Sequence, residues 1–270
     1  MKRVAIVTGG SRGIGRAIAV GLGEAGYAVV VAARTEVDAS AGSAFARYAA
    51  GAVHDTARLI AARGGTALGV RCDVSRADDL RELVAATLAR FGRIDALVNN
   101  AGIDCEASVL DLDVELLDRC LAVNVRAPLL LAKFALPAMI AERSGSIVAI
   151  TSGAARGYRP GRVAYSMSKA ALERAFLSLA EEVQPHGIAV NVLSPGRVDT
   201  WMNRHGDWPG TGHIPLVPPD AVVPAAVWLA GQRAATFTGR LVERADFGVT
   251  WGRRRESRRV ISGGPRARRR

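Results

Sequence analysis

The chain has 270 residues, 49% of them hydrophobic and 23% charged, which fits one large α/β domain with a substantial core. It contains no run of eighteen apolar residues, which argues against a membrane span, and the apolar run at residues 4–7 is too short for a signal-peptide core. The three cysteines (Cys72, Cys105 and Cys120) are widely spaced and predict reduced thiols in a cytoplasmic protein. Neither they nor the four histidines show a metal-ligand spacing, so no metal site is predicted.

The net charge of +11 is concentrated at the C-terminus. Residues 253–270 hold nine arginines and one glutamate, which leaves +3 for residues 1–252. A segment with so few apolar side chains is predicted to be a disordered tail beside a single folded domain, 1–252. Arginines can contact nucleic-acid phosphates, but no aromatic residue is interleaved with them, so we expect weak, non-specific binding at most.

Strand and helix patterns alternate along the rest of the chain, which predicts a parallel sheet covered by helices. The run at 28–33 is apolar without interruption, as in a strand buried on both faces. Predicted strands are residues 4–7, 28–33, 66–74, 94–98, 145–150, 188–193 and 241–243. Predicted helices are residues 16–25, 51–63, 80–91, 116–136 and 224–230, with a further apolar-periodic segment through 165–179.

A glycine-rich loop, Gly9-x3-Gly13-x-Gly15, joins the first strand to the first helix. Such a loop brings backbone N–H groups and the positive end of the helix dipole onto a phosphate. The spacing differs from G-x-G-x-x-G, and glycine turns are common. Its position between a strand and a helix, followed by a second strand, favours a dinucleotide site.

Tyr165 and Lys169 are four residues apart, so on a helix they share one face. Lowering a tyrosine pKa from ~10 to neutrality takes roughly 3 units, or about 4 kcal/mol. One positive charge at about 4 Å supplies on the order of 4 kcal/mol at an effective dielectric of ~20. Lys169 could therefore activate Tyr165 as an acid or base, while the alternative is an unremarkable surface pair.

Three motifs together resemble the classical short-chain dehydrogenase/reductase family: TGGSRGIG from Thr8, NNAG from Asn99 and YSMSK from Tyr165. The similarity covers about residues 3–250. It implies a doubly wound, Rossmann-type parallel sheet in a single domain, a nicotinamide cofactor, and subunits paired through the helices carrying Asn124 and Tyr165, usually as a homotetramer.

The resemblance also implies four catalytic residues. Ser152 polarises the substrate oxygen, Tyr165 transfers the proton, Lys169 lowers the tyrosine pKa and holds the nicotinamide ribose, and Asn124 holds a water that links the lysine to solvent. The alternatives are a turn serine for Ser152 and a satisfied core asparagine for Asn124. The implied cofactor site comprises Gly9, Ser11, Arg12, Gly13, Ile14, Gly15, Arg34, Asp73, Val74, Asn100, Ala101, Gly102, Tyr165, Lys169, Pro195, Gly196, Val198 and Thr200.

Two of these residues bear on which nicotinamide cofactor is used. Arg34 follows the second strand, where an acidic residue would read a ribose 2′-OH and an arginine a 2′-phosphate. With Ala33 in the acidic position and Arg12 in the loop, NADP(H) is favoured over NAD(H). A plain surface role for Arg34 is the alternative. By resemblance Asp73 bonds the adenine edge, and a helix-capping role is its alternative.

The chain departs from the family in three places: an insertion at 35–48, an aperiodic segment at 201–219 predicted to be a mobile substrate lid, and an ending, 243–248, without the usual paired glycines. The predicted function is NADP(H)-dependent hydride transfer to or from a small-molecule ketone or secondary alcohol, with 3-oxoacyl thioesters and steroid-like ketones both open. The rival is a non-catalytic NADP-binding redox sensor or a nucleic-acid-binding protein that uses the basic tail.

Overall fold

The computed structural model describes residues 1–35, 52–157, 160–206 and 214–252. Within them, seven parallel strands form one sheet in the order β3-β2-β1-β4-β5-β6-β7. The strands are β1 (Val4–Thr8), β2 (Ala28–Ala33), β3 (Thr66–Arg71), β4 (Ala96–Asn99), β5 (Gly145–Ile150), β6 (Ile188–Ser194) and β7 (Arg240–Glu243). The predicted doubly wound sheet is confirmed, and β2 and β5 have the predicted bounds.

Helices cover both faces of this sheet. They are α1 (Gly13–Glu24), α2 (Val53–Ala62), α3 (Ala77–Phe91), α4 (Val114–Leu121), α5 (Ala127–Ala141), α6 (Val163–Val183), α7 (Trp201–His205) and α8 (Val223–Ala230). Alternate residues of each strand face opposite layers, so Ala5 and Val7 pack in one core cluster and Ile6 in the other. Both layers need apolar side chains, which is why the central strand β2 is apolar without interruption.

The position of the site follows from the strand order. β1 lies between β2 and β4, with Val7 opposite Val98, so the chain changes its direction of winding between these two strands. Ligands of open α/β sheets bind at the carboxyl ends of the strands beside such a switch point. The fold therefore brings the loop after β1 together with residues 99–102 after β4.

The predicted helix 116–136 is two helices. α4 and α5 are joined by a π-helical turn, Ala122–Arg126, which contains Asn124. Pro128, at the start of α5, has no N–H to donate to the Asn124 carbonyl four residues earlier, so the regular α-helical ladder is interrupted here.

The continuous helical run Val114–Ala141 is long and apolar enough to cross a membrane, judged by length and composition alone. Half of its most apolar window is buried inside the fold, and the core helix of a folded domain passes the same criterion. The run packs against α3 and its apolar residues Leu131, Ala135 and Met139 belong to the core.

The described part of segment 201–219 contains a short helix that the sequence did not predict. Residues Trp201–His205 form α7, and the Thr200 hydroxyl accepts a hydrogen bond from the Asn203 N–H at 3.4 Å as its cap. Val217 pairs with Val198 in a parallel bridge. Residues 36–51, which include all but the first residue of the predicted 35–48 insertion, residues 207–213 and the 253–270 tail lie outside the described residues.

An aromatic cluster replaces the usual glycine ending after β7. Trp251 donates its indole N–H to the Glu243 carbonyl at 2.9 Å, and its ring contacts Trp228, Phe237 and Phe247. Trp251 is 8% exposed, so this contact ties the end of the domain to α8.

We expect Gly15→Ala to lower the free energy of unfolding by about 1–3 kcal/mol, the usual cost of overpacking. A Cβ at residue 15 would collide with the Gly9 carbonyl and the Asn100 side-chain amide, which hold two loops together. The matched control is Gly231→Ala, whose new Cβ meets only ordinary contacts of 3.5 Å or more. Urea unfolding of both variants measures the difference, and equal stability would contradict this view of the loop.

Candidate active site

The loop after β1 has the backbone of a phosphate-binding site. Gly9 and Gly13 adopt φ of +64° and +54°, which side chains rarely allow. Thr8 Oγ1 accepts the N–H groups of Asn100 and Ala101 at 3.1 Å each, and the Asn100 side chain donates to the Thr8 carbonyl at 2.9 Å. Arg12 is the N-cap of α1 but makes no side-chain cap, and the first turn carries no acidic residue. An anion therefore fits against the first N–H groups of α1.

Arg12 and Arg34 lie at the same end of this loop. Both side chains are exposed, and the pKa of Arg12 is lowered by partial burial and by the neighbouring positive charge of Arg34. Two like charges repel, so an anion between them would relieve the repulsion as well as accept hydrogen bonds. Recognition of a phosphate by this pair stays a prediction.

Asp73 lies just beyond the carboxyl end of β3. Its Oδ1 accepts hydrogen bonds from the N–H and hydroxyl of Ser75 at 3.0 and 2.7 Å. The bonds resemble a turn preceding a helix, although Arg76 and not Asp73 is the N-cap of α3. Adenine recognition by Asp73 remains a prediction.

Tyr165, Ser152 and Lys169 meet at the carboxyl end of β5. Tyr165 is 5% exposed and is hydrogen-bonded to Ser152. The Ser152 hydroxyl oxygen also accepts the Ala154 N–H at 3.2 Å, which opens the 3₁₀ turn Gly153–Ala155. Because Ser152 follows β5 and Tyr165 lies in α6, which packs beside it, the fold forms a pair that is thirteen residues apart in sequence.

Lys169 is buried with its ammonium 5.9 Å from the Tyr165 ring centre, and it donates to the Ile150 carbonyl at 3.1 Å. Burial lowers the pKa of Lys169 to about 8, although the Glu173 carboxylate acts in the opposite sense. Burial likewise raises the pKa of Tyr165 to about 12, against the lowering effect of the Ser152 hydrogen bond.

The predicted activation of Tyr165 by Lys169 alone is therefore wrong for the chain without its ligands. The sequence argument placed both groups at an effective dielectric of ~20, as if partly solvated. Full burial of the phenol raises its pKa, and near neutral pH Tyr165 is an uncharged hydrogen-bond donor.

Asn124 is 1% exposed and its side chain is fully engaged. Its Oδ1 accepts the Ile103 N–H at 2.9 Å, and its Nδ2 donates to the Ile103 carbonyl at 2.9 Å and to Ser168 Oγ at 3.0 Å. These contacts fit the alternative of a satisfied core asparagine. They also fix the backbone after Gly102, where an added Cβ would lie 3.4 Å from the Lys169 ammonium.

Sequence reasoning missed Glu173, one turn after Lys169 and 8% exposed. The Thr151 hydroxyl donates to it at 2.8 Å and the Arg156 Nε lies 3.5 Å away, so it joins α6 to the segment around Ser152. Burial raises the pKa of Glu173. The i, i+4 spacing from Lys169 was a signal that could have identified it.

The segment after β6 is held from two sides. The Arg244 Nε donates to the Pro195 carbonyl at 2.9 Å, and the Asp199 N–H donates to the Val217 carbonyl at 2.7 Å. Gly196 adopts φ of +74°, and Thr200 lies 3.4 Å from where a Cβ on Gly13 would be. Of the predicted site residues on this segment (Pro195, Gly196, Val198 and Thr200), Thr200 lies against the glycine loop.

The prediction of three reduced thiols is wrong for two of them. Cys105 and Cys120 form a disulfide with a Cα–Cα distance of 6.2 Å, while Cys72 is free and buried. The fold brings together two residues fifteen apart in a cluster that includes Tyr165, which spacing alone does not reveal. Among the described residues, no group of three His, Cys, Asp or Glu side chains could hold a metal ion.

Comparison with known proteins agrees with this geometry. The family model for short chain dehydrogenase matches residues 3–207. The 3-oxoacyl-[acyl-carrier-protein] reductase of Synechocystis sp. is 35% identical over 239 residues, which cover 87% of this chain and 92% of that protein. The 2-(R)-hydroxypropyl-CoM dehydrogenase of Xanthobacter autotrophicus is 39% identical over 208 residues, with 76% and 78% coverage. A crystal structure of a metagenomic short-chain oxidoreductase in complex with NADP has a TM-score of 0.72 at 33% identity, with 89% and 96% coverage.

The buried Lys169 predicts a pH dependence of stability. Its folded pKa of about 8 is below the ordinary 10.5, so between these values the unfolded chain binds more protons and stability rises with pH. The free energy of unfolding of the wild type minus that of Lys169→Met should rise by up to about 3 kcal/mol over this window. Urea titrations at several pH values measure it, and a flat difference would mean that Lys169 keeps its ordinary pKa.

Proposed function

Because the chain belongs to the short chain dehydrogenase family and is an oxidoreductase of that family, we propose that it transfers a hydride between NADP(H) and a ketone or secondary alcohol. The proposed class is EC 1.1.1.-. The observation that carries the proposal is the grouping of Ser152 with the buried Tyr165 and Lys169 at the carboxyl end of β5, beside a loop that fits a phosphate. When bound, the nicotinamide would supply or accept the hydride.

Tyr165 and Ser152 would handle the substrate oxygen. The Ser152 hydroxyl donates a hydrogen bond to it, and Tyr165, uncharged near neutral pH, gives the proton as the carbonyl is reduced. In the oxidation direction the same phenol must lose its proton, which its raised pKa opposes. A positive charge brought close by the oxidised cofactor would lower that pKa.

Lys169 and Asn124 would support this proton transfer. With a pKa of about 8, Lys169 is mostly protonated at neutral pH and can donate to ribose hydroxyls as well as to the Ile150 carbonyl. The Asn124 side chain is committed to Ile103 and Ser168, so a relay water would be held by its backbone carbonyl. Pro128 offers that carbonyl no N–H, which favours this arrangement.

The preference for NADP(H) rests on Arg12 and Arg34. They are the cations at the adenosine end of the loop, and Ala33 offers no carboxylate to a ribose hydroxyl. The solved relative in complex with NADP supports the same choice.

The substrate class is proposed from relatives. One is named 3-oxoacyl-[acyl-carrier-protein] reductase and another 2-(R)-hydroxypropyl-CoM dehydrogenase, so 3-oxoacyl compounds and short 2-oxopropyl compounds are the first class to test. Steroid-like and other ketones form the second. No contact among the described residues favours the rival, a redox sensor or a nucleic-acid-binding protein.

Assembly and location remain proposals. Leu129 of α5 and Val163 and Met167 of α6 are apolar and 43%, 49% and 44% exposed, which supports pairing of copies through these helices into a homotetramer or a dimer. A cytoplasmic location was predicted from reduced thiols, and the Cys105–Cys120 disulfide removes that support.

We expect NADPH oxidation with at least one member of a panel of 3-oxoacyl thioesters, thioether ketones, steroid ketones and simple ketones. Tyr165→Phe should lower kcat at least ~10²-fold, the lower end of general acid contributions, and should still bind NADPH in fluorescence titrations. Binding of NADPH without turnover of any panel member would favour the sensor. Near wild-type turnover by Tyr165→Phe would contradict its role as the acid.

Arg34→Ala should weaken NADPH binding roughly ten- to a hundredfold and leave NADH unchanged, because a lost charged hydrogen bond is worth about 1.5–3 kcal/mol. The matched control is Arg90→Ala, since Arg90 is an exposed arginine near the end of α3, just before β4 begins. Calorimetric titration with both cofactors makes the comparison. An equal loss for the two would show that Arg34 does not read the phosphate.

A further inference from the structure

Arg162, the residue before α6, is a buried cation that the proposed reaction does not use. Its side chain is 1% exposed, and its guanidinium forms ion pairs with Asp104 and with Glu106, the latter at 2.8 Å. Arginine keeps its proton in proteins, so this charge is permanent. Burying it is costly unless carboxylates neutralise it, and a guanidinium can bond two at once where an ammonium cannot match the geometry.

Both carboxylates belong to the 103–107 loop, which directly follows Gly102. The Ile103 N–H donates to Asn124, and the Ala107 N–H donates to the Gly161 carbonyl at 3.0 Å. The loop is therefore fixed to the π turn on one side and to the start of α6 on the other. Arg162 joins the second of these attachments, because Ala107 and Arg162 form a parallel bridge.

The same loop lies against Tyr165. Cys105, between the two acidic residues, shares an apolar cluster with Tyr165. Tyr165 follows Arg162 by three residues, which places it close to one helical turn further on. The Asp104 charge raises the pKa of Tyr165 and the Arg162 charge lowers it, both by less than burial does.

We propose that Arg162 is a positioning residue: it holds the 103–107 loop against α6 and offsets the negative charge of Asp104 beside Tyr165. Only the kinetic readout of this inference rests on the proposed function. Without Arg162, Asp104 would face the phenol uncompensated, and forming the phenolate would become harder.

Among the residues that the structure describes, the charged and titratable groups named around Tyr165 lie on two elements. The 103–107 loop contributes Asp104 and, on the far side of Arg162, Glu106. Helix α6 and the residue before it contribute Arg162 and Lys169, with Glu173 one turn beyond the lysine. Changes to Asp104 and Arg162 should therefore move the Tyr165 pKa in opposite senses, and changing both together should nearly cancel.

The first experiment is independent of turnover. The chain has four tyrosines, so protein labelled with 3-fluorotyrosine gives few ¹⁹F signals, and Tyr165→Phe identifies the one of interest. Relative to wild type, we expect Arg162→Met to raise the pH midpoint of this signal by about 1 unit and Asp104→Asn to lower it by about 1 unit. The Arg162→Met/Asp104→Asn double variant should return it to within about half a unit. Arg174→Met, at an exposed arginine of α6, is the matched control and should not shift it.

The second experiment uses alcohol oxidation with NADP⁺, which needs the phenolate. Arg162→Met should move the alkaline rise of kcat/KM up by about 1 unit and so lower kcat/KM about tenfold below the midpoint, with the high-pH plateau preserved. A structural role alone would lower the plateau without moving the rise. Thermal unfolding checks that each variant is folded. If Arg162→Met is not folded, Asp104→Asn still tests the direction in which the Tyr165 midpoint shifts.

Midpoints that stay at the wild-type value in both Asp104→Asn and Arg162→Met would overturn the proposal. So would shifts of the same sign in the two variants. Absence of alcohol oxidation by the wild-type protein would instead count against the proposed function. The ¹⁹F titration needs no turnover, so it would still test the role of Arg162.

Discussion

Burial of the Lys169 ammonium is the interaction on which the rest of the site depends. A charged group removed from water needs polar partners, and Lys169 finds the Ile150 carbonyl at the end of β5 and the Glu173 carboxylate one turn along α6. The bond to Ile150 ties α6 to the carboxyl end of the sheet. Tyr165, on the same face of α6, is then placed beside Ser152 without a further constraint.

The same burial explains why the site is organised around neutral and compensated groups. It lowers the pKa of Lys169 and raises that of Tyr165, so both move toward their uncharged forms. The charged groups that remain nearby have partners. Glu173 pairs with Arg156 and accepts a hydrogen bond from Thr151, and Asp104 pairs with Arg162. An unpaired charge here would act directly on the proton that the reaction must move.

Much of the fold was predictable because its signals are local. Apolar runs predicted β2 and β5 to the residue, and the loop from Gly9 to Gly15 predicted a dinucleotide site between the first strand and the first helix. The π turn at Asn124, the Cys105–Cys120 disulfide and the burial of Arg162 were not predicted. Each depends on contacts between segments that only the folded chain brings together, and an arginine in sequence gives no sign that two carboxylates will surround it.

The site was predictable as a set of residues and less so as an electrostatic environment. The motifs predicted Ser152, Tyr165, Lys169 and Asn124 as site residues, but the size and sign of the tyrosine pKa shift depend on the burial of the phenol.

The measurement that tests the account most directly is isotope transfer from NADPH deuterated on the transferring face of C4. In single-turnover reactions with a ketone substrate, the account predicts an alcohol with one deuteron on its carbinol carbon, and none there when unlabelled NADPH reacts in D₂O. An alcohol without that deuteron, or one labelled from solvent, would contradict it.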